Sequence, residues 1–242
     1  MRLNDFKALT FDCYGTLIDW ERGMIAALKP LTDRAAVALD RDAILEAHAR
    51  QESRQQRYTP SMHYSDLLAV VYKRLAEEWG IAAEPDECAA YGRSIREWPA
   101  FPDAAEALGY LKQHYKLIIL SNVDNASFAF SNARLGVAFD AIYTAEDIGS
   151  YKPSARNFDY MLEHLAELGV ARSDVLHTAQ SLFHDHVPAK AHNLATCWID
   201  RRHAHEGFGA TMDPGTRPSP DFRFNSMAEL ATAHRLEIGA GT

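Results

Sequence analysis

Short apolar runs, each bounded by polar residues or glycine, recur along the chain, and their lengths are typical of strands buried on both faces. They predict six strands, at Lys7–Phe11, Leu117–Leu120, Ala141–Thr144, Val175–Thr178, Thr196–Ile199 and Phe222–Phe224. Helical patterns alternate with the later runs, most clearly over Pro102–Tyr115, Ser154–Leu168 and Pro188–Leu194. The stretch Arg201–Pro220, rich in glycine, proline, histidine and threonine, predicts a long surface loop. Alternating strands and helices indicate an α/β fold with a doubly wound parallel sheet.

The segment from Trp20 to Pro99 has a different pattern, with long helical repeats over Ala43–Gln56 and Ser65–Trp79 and no convincing strand. Because it follows the first strand and its turn directly, we expect it above the carboxyl edge of the sheet, as a helical cap that closes a site from water. Pro99 and Pro102 disfavour helix before them and mark the return to the sheet. We therefore predict a Rossmann-like core formed by residues 1–18 and 100–242, with residues 19–99 as the cap.

Composition narrows the function classes. The 242 residues are 47% apolar and 24% charged, as in ordinary globular proteins, and 25 basic against 33 acidic residues give a net charge of −8. This balance argues against nucleic acid or an anionic membrane surface as the main partner, whereas a net-acidic protein can still bind a small anionic substrate in a local cationic pocket. We expect a small-molecule substrate. Three cysteines do not suggest a disulfide framework, and the N-terminus has no run suited to a signal peptide or membrane span. We expect a cytoplasmic protein.

Polar side chains follow several of the predicted strands. Phe11–Leu17 places Asp12 at the carboxyl end of the first strand, directly before a turn at Gly15 and Thr16. Ligands bind at that edge of open parallel sheets, and an aspartate there can act as a nucleophile. Three further segments supply hydroxyl and amide groups, a cation and a second carboxylate: Leu120-Ser121-Asn122, Tyr151-Lys152-Pro153 and Gln180–Asp185. Successive strand ends can bring all four segments to one pocket.

This order of segments resembles the haloacid dehalogenase superfamily, which shares an aspartate nucleophile, a serine or threonine on the second strand, a lysine, a distal acidic motif and a cap in the first loop. Asp-x-Tyr-Gly-Thr-Leu, Ser121-Asn122, Tyr151-Lys152-Pro153 and Thr196–Ile199 are similar to the type II (S)-2-haloacid dehalogenases. The resemblance spans nearly the whole chain. It implies hydrolytic dehalogenation of short 2-haloalkanoic acids to 2-hydroxy acids through an aspartyl ester, and it also suggests a homodimer.

The resemblance implies a catalytic set of Asp12, Thr16, Lys152 and Asp185. Asp12 would displace the halide, and Lys152 would keep it ionised through its opposite charge. Asp185 would position or deprotonate the water that hydrolyses the ester.

The substrate-binding residues implied in the same way are Tyr14, Ser121, Asn122 and a cap arginine. Ser121 and backbone N–H groups would bind the substrate carboxylate, and Asn122 would lie near the departing halide. For the cap arginine we choose Arg50, on the predicted helix Ala43–Gln56, with Arg54 and Arg57 as the alternatives.

Two positions favour halide over phosphate chemistry. Superfamily phosphatases usually carry a second aspartate at position 14, as the acid that protonates the leaving alcohol. Tyr14, with an ordinary pKa near 10, does not readily do so at neutral pH, and a halide needs no proton. Gln180 stands where phosphatases commonly place an acid that helps to hold Mg²⁺, and it offers only a neutral oxygen. We therefore expect no metal or other cofactor.

Other positions depart from the dehalogenase pattern. Val123 replaces the usual glycine, Phe158 replaces a tyrosine, and Gln180 and Leu182 replace a serine and an asparagine. These changes remove polar groups near the expected water site and leave the substrate open. Two alternatives remain: a Mg²⁺-dependent phosphatase acting on a small phosphorylated metabolite, and a non-catalytic protein that binds a small acid.

Overall fold

A six-stranded parallel sheet forms the centre of the computed structural model, which describes residues 1–240. The strands are β1 (Ala8–Phe11), β2 (Lys116–Ser121), β3 (Ala141–Thr144), β4 (Val175–Ala179), β5 (Ala195–Ile199) and β6 (Phe222–Phe224), in the spatial order β3-β2-β1-β4-β5-β6. All six predicted strands are confirmed, each to within one residue at either end. The strand order reverses beside β1, and this switch point is where an open α/β sheet forms its ligand crevice.

Helices account for most of the remaining chain. They are α1 (Trp20–Thr32), α2 (Arg41–Tyr58), α3 (Tyr64–Glu78), α4 (Pro85–Gly92), α5 (Ala104–Leu111), α6 (Asn125–Leu135), α7 (Ala145–Ile148), α8 (Ala155–Glu167), α9 (Val187–Ala191) and α10 (Met227–Gly239). Short 3₁₀ turns lie at Leu3–Asp5, Arg93–Glu97 and Arg172–Asp174, and a π-helical turn lies at Leu182–His186. The helical character predicted for Trp20–Pro99 is confirmed, and so is the strand–helix alternation after it.

The sheet is buried on both faces, which explains why its strands read as continuous apolar runs. Alternate residues of β2 point to opposite sides: Leu117 and Ile119 join one hydrophobic cluster, whereas Ile118 and Leu120 join the other. These four side chains are at most 1% exposed. Burial of a Leu or Ile side chain contributes about 1.5–3 kcal/mol, so the two clusters hold the helices on both faces of the sheet.

The chain leaves the sheet for α1–α4 and returns along adjacent paths. Ile18 pairs with Ala100 in an antiparallel bridge, and Asp19 N donates to Pro99 O at 2.8 Å. On the far side, Ser65 N at the start of α3 donates to Asp124 Oδ2 at 3.1 Å, just beyond β2. Helices α1–α4 are thereby fixed over the carboxyl edge of the sheet.

The predicted loop Arg201–Pro220 contains neither helix nor strand, and two arginines at its start fix it in place. Arg202 pairs with Glu21 at 2.8 Å and with Asp42 at 3.0 Å, which joins the loop to α1 and α2. Arg201 pairs with Asp103 at 2.9 Å. The loop therefore packs against the edge of the sheet where the strands end.

The cysteines Cys13, Cys88 and Cys197 are buried and free. Within residues 1–240, no helix combines the length and the apolar character needed to cross a membrane.

Candidate active site

Asp12 is the first residue after β1 and is only 6% exposed. The turn that follows requires Gly15, whose φ is +95° and whose position would bring a Cβ to 3.0 Å from Gln180 Oε1. This turn brings Thr16 back to the aspartate. Thr16 Oγ1 donates to Asp12 Oδ2 at 2.8 Å and accepts from Gln180 N at 2.9 Å, so the turn itself orients the carboxylate.

Lys152 reaches the same point from the loop between α7 and α8. Its Nζ donates to Asp12 Oδ1 at 3.0 Å, to Asp185 Oδ1 at 2.6 Å and to Leu120 O at 2.8 Å. An ammonium group has three N–H donors, and all three are used here. Asn122 holds the lysine's backbone by accepting from Lys152 N at 2.7 Å and donating from Nδ2 to Lys152 O at 3.0 Å.

Asp185 lies on the π-helical turn after β4 and is completely buried. His177 Nε2 lies 3.0 Å from its Oδ1, and His177 Nδ1 lies 2.8 Å from Thr10 Oγ1. Because a carboxylate only accepts, Nε2–H donates to Asp185, and Nδ1 forms a hydrogen bond with the threonine hydroxyl. The other oxygen, Asp185 Oδ2, is buried without a hydrogen-bond partner among the described residues. That oxygen is free to receive a water molecule or a group of the substrate.

The pKa values of these groups follow from burial and from their mutual charges. Burial raises the pKa of Asp12, and the charge of Asp185 adds to that effect, against the lowering by Lys152 and Thr16. Burial also acts to raise the pKa of Asp185. The opposing effects of Lys152 and His177 are larger and hold that pKa well below the usual range. Burial alone would lower the pKa of Lys152, whereas the two carboxylates raise it.

A cavity of about 30 Å³ lies over Asp12. Helices α1–α3, which we call the cap helices together with α4, line its upper side with Trp20, Glu52, Gln56 and Tyr64. The rest of the lining comes from the core: Asp12, Tyr14, Asn122, Lys152, Ser181, His184, Asp185 and Thr211. Thr211 comes from the loop Arg201–Pro220. A cavity of this size holds about one water molecule, so side chains or the cap helices must move to admit a substrate.

Tyr14 and Asn122, two of the predicted substrate-binding residues, line the cavity and are also bonded within the protein. The Tyr14 hydroxyl lies 3.0 Å from Ser131 Oγ, and its ring packs edge-on against Trp98. Burial raises the pKa of Tyr14 well above its ordinary value, so the residue presents an aromatic wall and not an acid. Asn122 lines the cavity, but its amide is engaged by the backbone of Lys152. Ser121 is buried at the end of β2, and its Oγ has no partner within residues 1–240.

The structure does not bring Arg50 to the cavity. Its guanidinium donates to Glu78 at 2.6 Å on the outer surface, and its side chain is 52% exposed. Successive helical residues are about 100° apart, so Arg50, Arg54 and Arg57 share an outward face of α2. Arg54 lies over the Tyr58 ring. The expectation of an arginine cradle is therefore corrected: none of these three residues lines the cavity over Asp12.

The inward face of α2 supplies a carboxylate in place of the expected cation. Glu52 is 3% exposed, and Tyr64 on α3 donates its hydroxyl to Glu52 Oε1 at 2.5 Å. Burial raises the pKa of Glu52 to about 7, although the bond from Tyr64 acts in the opposite direction. Sequence reasoning missed Glu52 and also His177. In the sequence these two residues stand out only as polar positions inside a predicted helix and a predicted strand.

A family model described as haloacid dehalogenase-like hydrolase matches residues 6–178, which includes Asp12 and Lys152. The chain belongs to the haloacid dehalogenase-like hydrolases. This hydrolase is 31% identical over 216 residues to an (S)-2-haloacid dehalogenase from Pseudomonas sp. (strain YL), covering 86% of this chain and 88% of the relative.

Two further relatives show how broad the family is. The fold resembles that of an L-2-haloacid dehalogenase from Xanthobacter autotrophicus, solved with chloropropionic acid covalently bound, with a TM-score of 0.73, 20% identity and coverage of 95% and 98% of the two chains. A pyrimidine 5'-nucleotidase, YjjG of Escherichia coli (strain K12), is 29% identical over 131 residues, covering 53% of this chain and 54% of the relative. Dehalogenases and phosphate-ester hydrolases thus both occur among its relatives.

One structural neighbour, the putative HAD-hydrolase YfnB of Bacillus subtilis, was solved bound to magnesium. The residues present here do not fit such a site. The gap between the carboxylates of Asp12 and Asp185 is taken by the Lys152 ammonium, a cation bonded to both. Gln180 contributes a neutral amide where Mg²⁺ favours a carboxylate. Within residues 1–240, no group of three or more His, Cys, Asp or Glu side chains is placed to hold a metal ion.

Proposed function

We propose that this hydrolase removes halide from short 2-haloalkanoic acids, forming 2-hydroxy acids through an ester on Asp12. The observation that carries the proposal is the buried Asp12 held by Lys152 and Thr16, with no acid on residue 14 to protonate a leaving alcohol. A halide departs without a proton, so it suits this arrangement. The (S)-2-haloacid dehalogenase at 31% identity supports the same chemistry.

In the first half-reaction, an Asp12 carboxylate oxygen attacks carbon 2 of the substrate from the side opposite the halogen. The new C–O bond forms as the carbon–halogen bond breaks, and the halide leaves with the bonding electron pair. Carbon 2 is thereby inverted. Lys152 and Thr16 orient the carboxylate for this attack, and orientation of reacting groups contributes a large part of the rate.

In the second half-reaction, water attacks the ester carbonyl of Asp12 and not carbon 2. The bond between the carbonyl carbon and the ester oxygen, which came from Asp12, breaks; this releases the 2-hydroxy acid, restores the carboxylate with an oxygen from water and frees one proton. Asp185 Oδ2 is free to orient the water, and Lys152 lies beside the carbonyl where negative charge develops. With its lowered pKa, Asp185 is a weak base, so orientation is its main contribution.

The test is halide release from (S)-2-chloropropionate, measured with and without EDTA, alongside phosphate release from a panel of phosphate esters with Mg²⁺. The proposal predicts halide release that EDTA does not change. Phosphate release that EDTA stops would assign the phosphatase alternative. Binding of a small acid without consumption, seen as a raised melting temperature, would assign the non-catalytic alternative.

Two variants make this test specific. Asp12→Asn should abolish halide release, because an amide cannot form the ester. Asp33→Asn is the matched control, since Asp33 is exposed at the C-terminal end of α1 and its carboxylate pairs with Lys29 on the surface. Equal loss of activity in both variants, or undiminished activity in Asp12→Asn, would remove Asp12 from the reaction.

A further inference from the structure

The cavity over Asp12 has no free cation for a substrate carboxylate. Of the described residues that line it, Lys152 is the permanent cation, and its three N–H groups are all bonded within the protein. His184 also lines the cavity, but burial lowers its pKa to about 4, so it is neutral at physiological pH. A short haloacid in its ionised form would enter without an opposite charge to meet it.

The cap face of the cavity carries groups that suit a neutral amide. Glu52 is an acceptor when ionised, and Gln56 Nε2 is a donor that is buried without a partner among the described residues. An amide offers the complementary pair, with N–H groups for the carboxylate and a carbonyl oxygen for the glutamine N–H. An ionised carboxylate would place a second negative charge beside Glu52, and like charges brought together cost several kcal/mol.

We propose that Glu52 is a specificity-determining residue that selects substrates by charge, favouring a 2-haloamide over the ionised 2-haloacid. The proposal rests on the proposed dehalogenation at Asp12 and names the substrate class that the cap admits. A 2-haloacid is accepted well only when Glu52 carries a proton and can itself donate to the substrate carboxylate. The amide is accepted in either state.

Glu52 is suited to this role by its surroundings. The groups that face it are His48 and Gln56 on its own helix, Tyr64 on α3, Tyr91 on α4, Tyr151 from the core, and Asp12, Lys152, His184 and Asp185 across the cavity. His48 Nδ1 is 4.0 Å from Glu52 Oε2, and burial lowers the pKa of that histidine to about 3, so no cation is paired with Glu52. The pKa of Glu52, about 7, places its charge change near neutral pH.

The test compares kcat/KM for halide release from 2-chloropropionamide and from 2-chloropropionate at about pH 6 and about pH 8, on either side of the Glu52 pKa of about 7. For the wild type we expect the amide-to-acid ratio to exceed one and to rise with pH. Glu52→Gln should raise kcat/KM for the acid at the higher pH by about tenfold or more and remove the pH dependence of the ratio.

Two control variants separate this effect from a general change in the cap. Glu46→Gln removes an exposed carboxylate from the same helix and should leave the ratio unchanged. Arg57→Gln tests the cap arginine that lines a neighbouring cavity shared with Gln56 and Lys152. The proposal would be overturned if the amide-to-acid ratio of kcat/KM changed in Arg57→Gln and not in Glu52→Gln. A wild-type ratio below one at the higher pH would also overturn it.

A binding measurement keeps this inference separate from the proposed function. Propionamide and propionate carry no halogen, so calorimetric titration reports their binding whether or not the protein dehalogenates. Tighter binding of propionamide at about pH 8, with propionate gaining affinity in Glu52→Gln, supports the role of Glu52 even if no halide is released. Equal binding of propionate by wild type and Glu52→Gln at both pH values overturns it even if halide is released.

Discussion

Lys152 Nζ lies 3.0 Å from Asp12 Oδ1 in a site where the lysine is 1% and the aspartate 6% exposed. The same ammonium bonds to Asp185, so one cation separates two buried carboxylates. This contact couples the ionisation of Asp12, the proposed nucleophile, to that of Asp185, the residue that we propose orients water. It also consumes the positive charge that a substrate carboxylate would need.

Replacing the lysine should raise the pKa of Asp12 further. In Lys152→Met, Asp12 faces Asp185 without the cation between them, and loss of an opposite charge shifts a carboxyl pKa by about 1–3 units. We expect halide release at neutral pH to fall by roughly two orders of magnitude. Activity should recover partly as the pH is raised, in a pH profile measured on protein whose folding is checked by circular dichroism.

The same variant should lose stability, because breaking a buried ion pair costs about 3–5 kcal/mol. Lys7→Met is the control, since Lys7 pairs with Asp174 on the surface and such pairs contribute less than about 1 kcal/mol. Urea unfolding of both variants measures the difference. Equal losses of stability in the two variants, or full activity of Lys152→Met at neutral pH, would contradict the buried contact of Lys152 with Asp12 and Asp185.

The acidic side of the pH–rate profile should reflect Asp12. The carboxylate must be ionised to attack, and burial raises its pKa, so activity is lost as the pH falls through a value above the ordinary aspartate pKa of about 3.9. Profiles of kcat/KM for 2-chloropropionamide test this without an ionisable substrate. A rate that persists unchanged below the ordinary aspartate pKa would contradict the raised value.

Glu52 should make the protein less stable as the pH rises. Its pKa is about 7 when folded against an ordinary 4.5, so the native state holds the proton more tightly. The stabilisation is fully present below the unfolded pKa of about 4.5 and is lost as the pH rises through about 7. At 1.36 kcal/mol per unit, the loss is at most roughly 3 kcal/mol.

Unfolding midpoints in urea at about pH 5 and about pH 8 measure this loss, and Glu52→Gln should lack it. Glu46→Gln, exposed on the same helix, should behave like the wild type. A wild-type protein whose stability difference between the two pH values equals that of Glu52→Gln would contradict the raised pKa of this carboxyl.

The sequence predicted the sheet well because the strands are buried on both faces and stand out as short apolar runs, such as Ile118 to Leu120 on β2. It pointed to Asp12 and Lys152 because each lies where a strand or its following loop reaches the carboxyl edge. The sequence did not predict which side chains of helix α2 line the cavity over Asp12. The second half of helix α2, from Arg50 to Arg57, contains no apolar residue, so no apolar stripe shows whether Arg50 or Glu52 points inward. Only tertiary packing against Tyr64 decides this.

Arg50 itself should have little effect on the reaction. In Arg50→Ala, the KM for 2-chloropropionate should stay within about twofold of the wild type, and stability should fall by less than about 1 kcal/mol, because the lost partner is the surface residue Glu78. Steady-state kinetics and urea unfolding provide both numbers. A large rise in KM would show that Arg50 reaches the substrate and would restore the arginine cradle expected from the sequence.

The covalent role of Asp12 is tested most directly by a single turnover in water enriched in heavy oxygen, with the enzyme in excess over 2-chloropropionamide or 2-chloropropionate. If water attacks the Asp12 carbonyl, the first turnover places the heavy oxygen in the Asp12 carboxylate, and the released product carries ordinary oxygen from the protein. Mass spectrometry of the peptide containing Asp12 and of the product distinguishes attack of water on the Asp12 carbonyl from attack on carbon 2. Heavy oxygen in the product of that first turnover, with none in Asp12, would mean that water attacks carbon 2 directly and would contradict the ester mechanism.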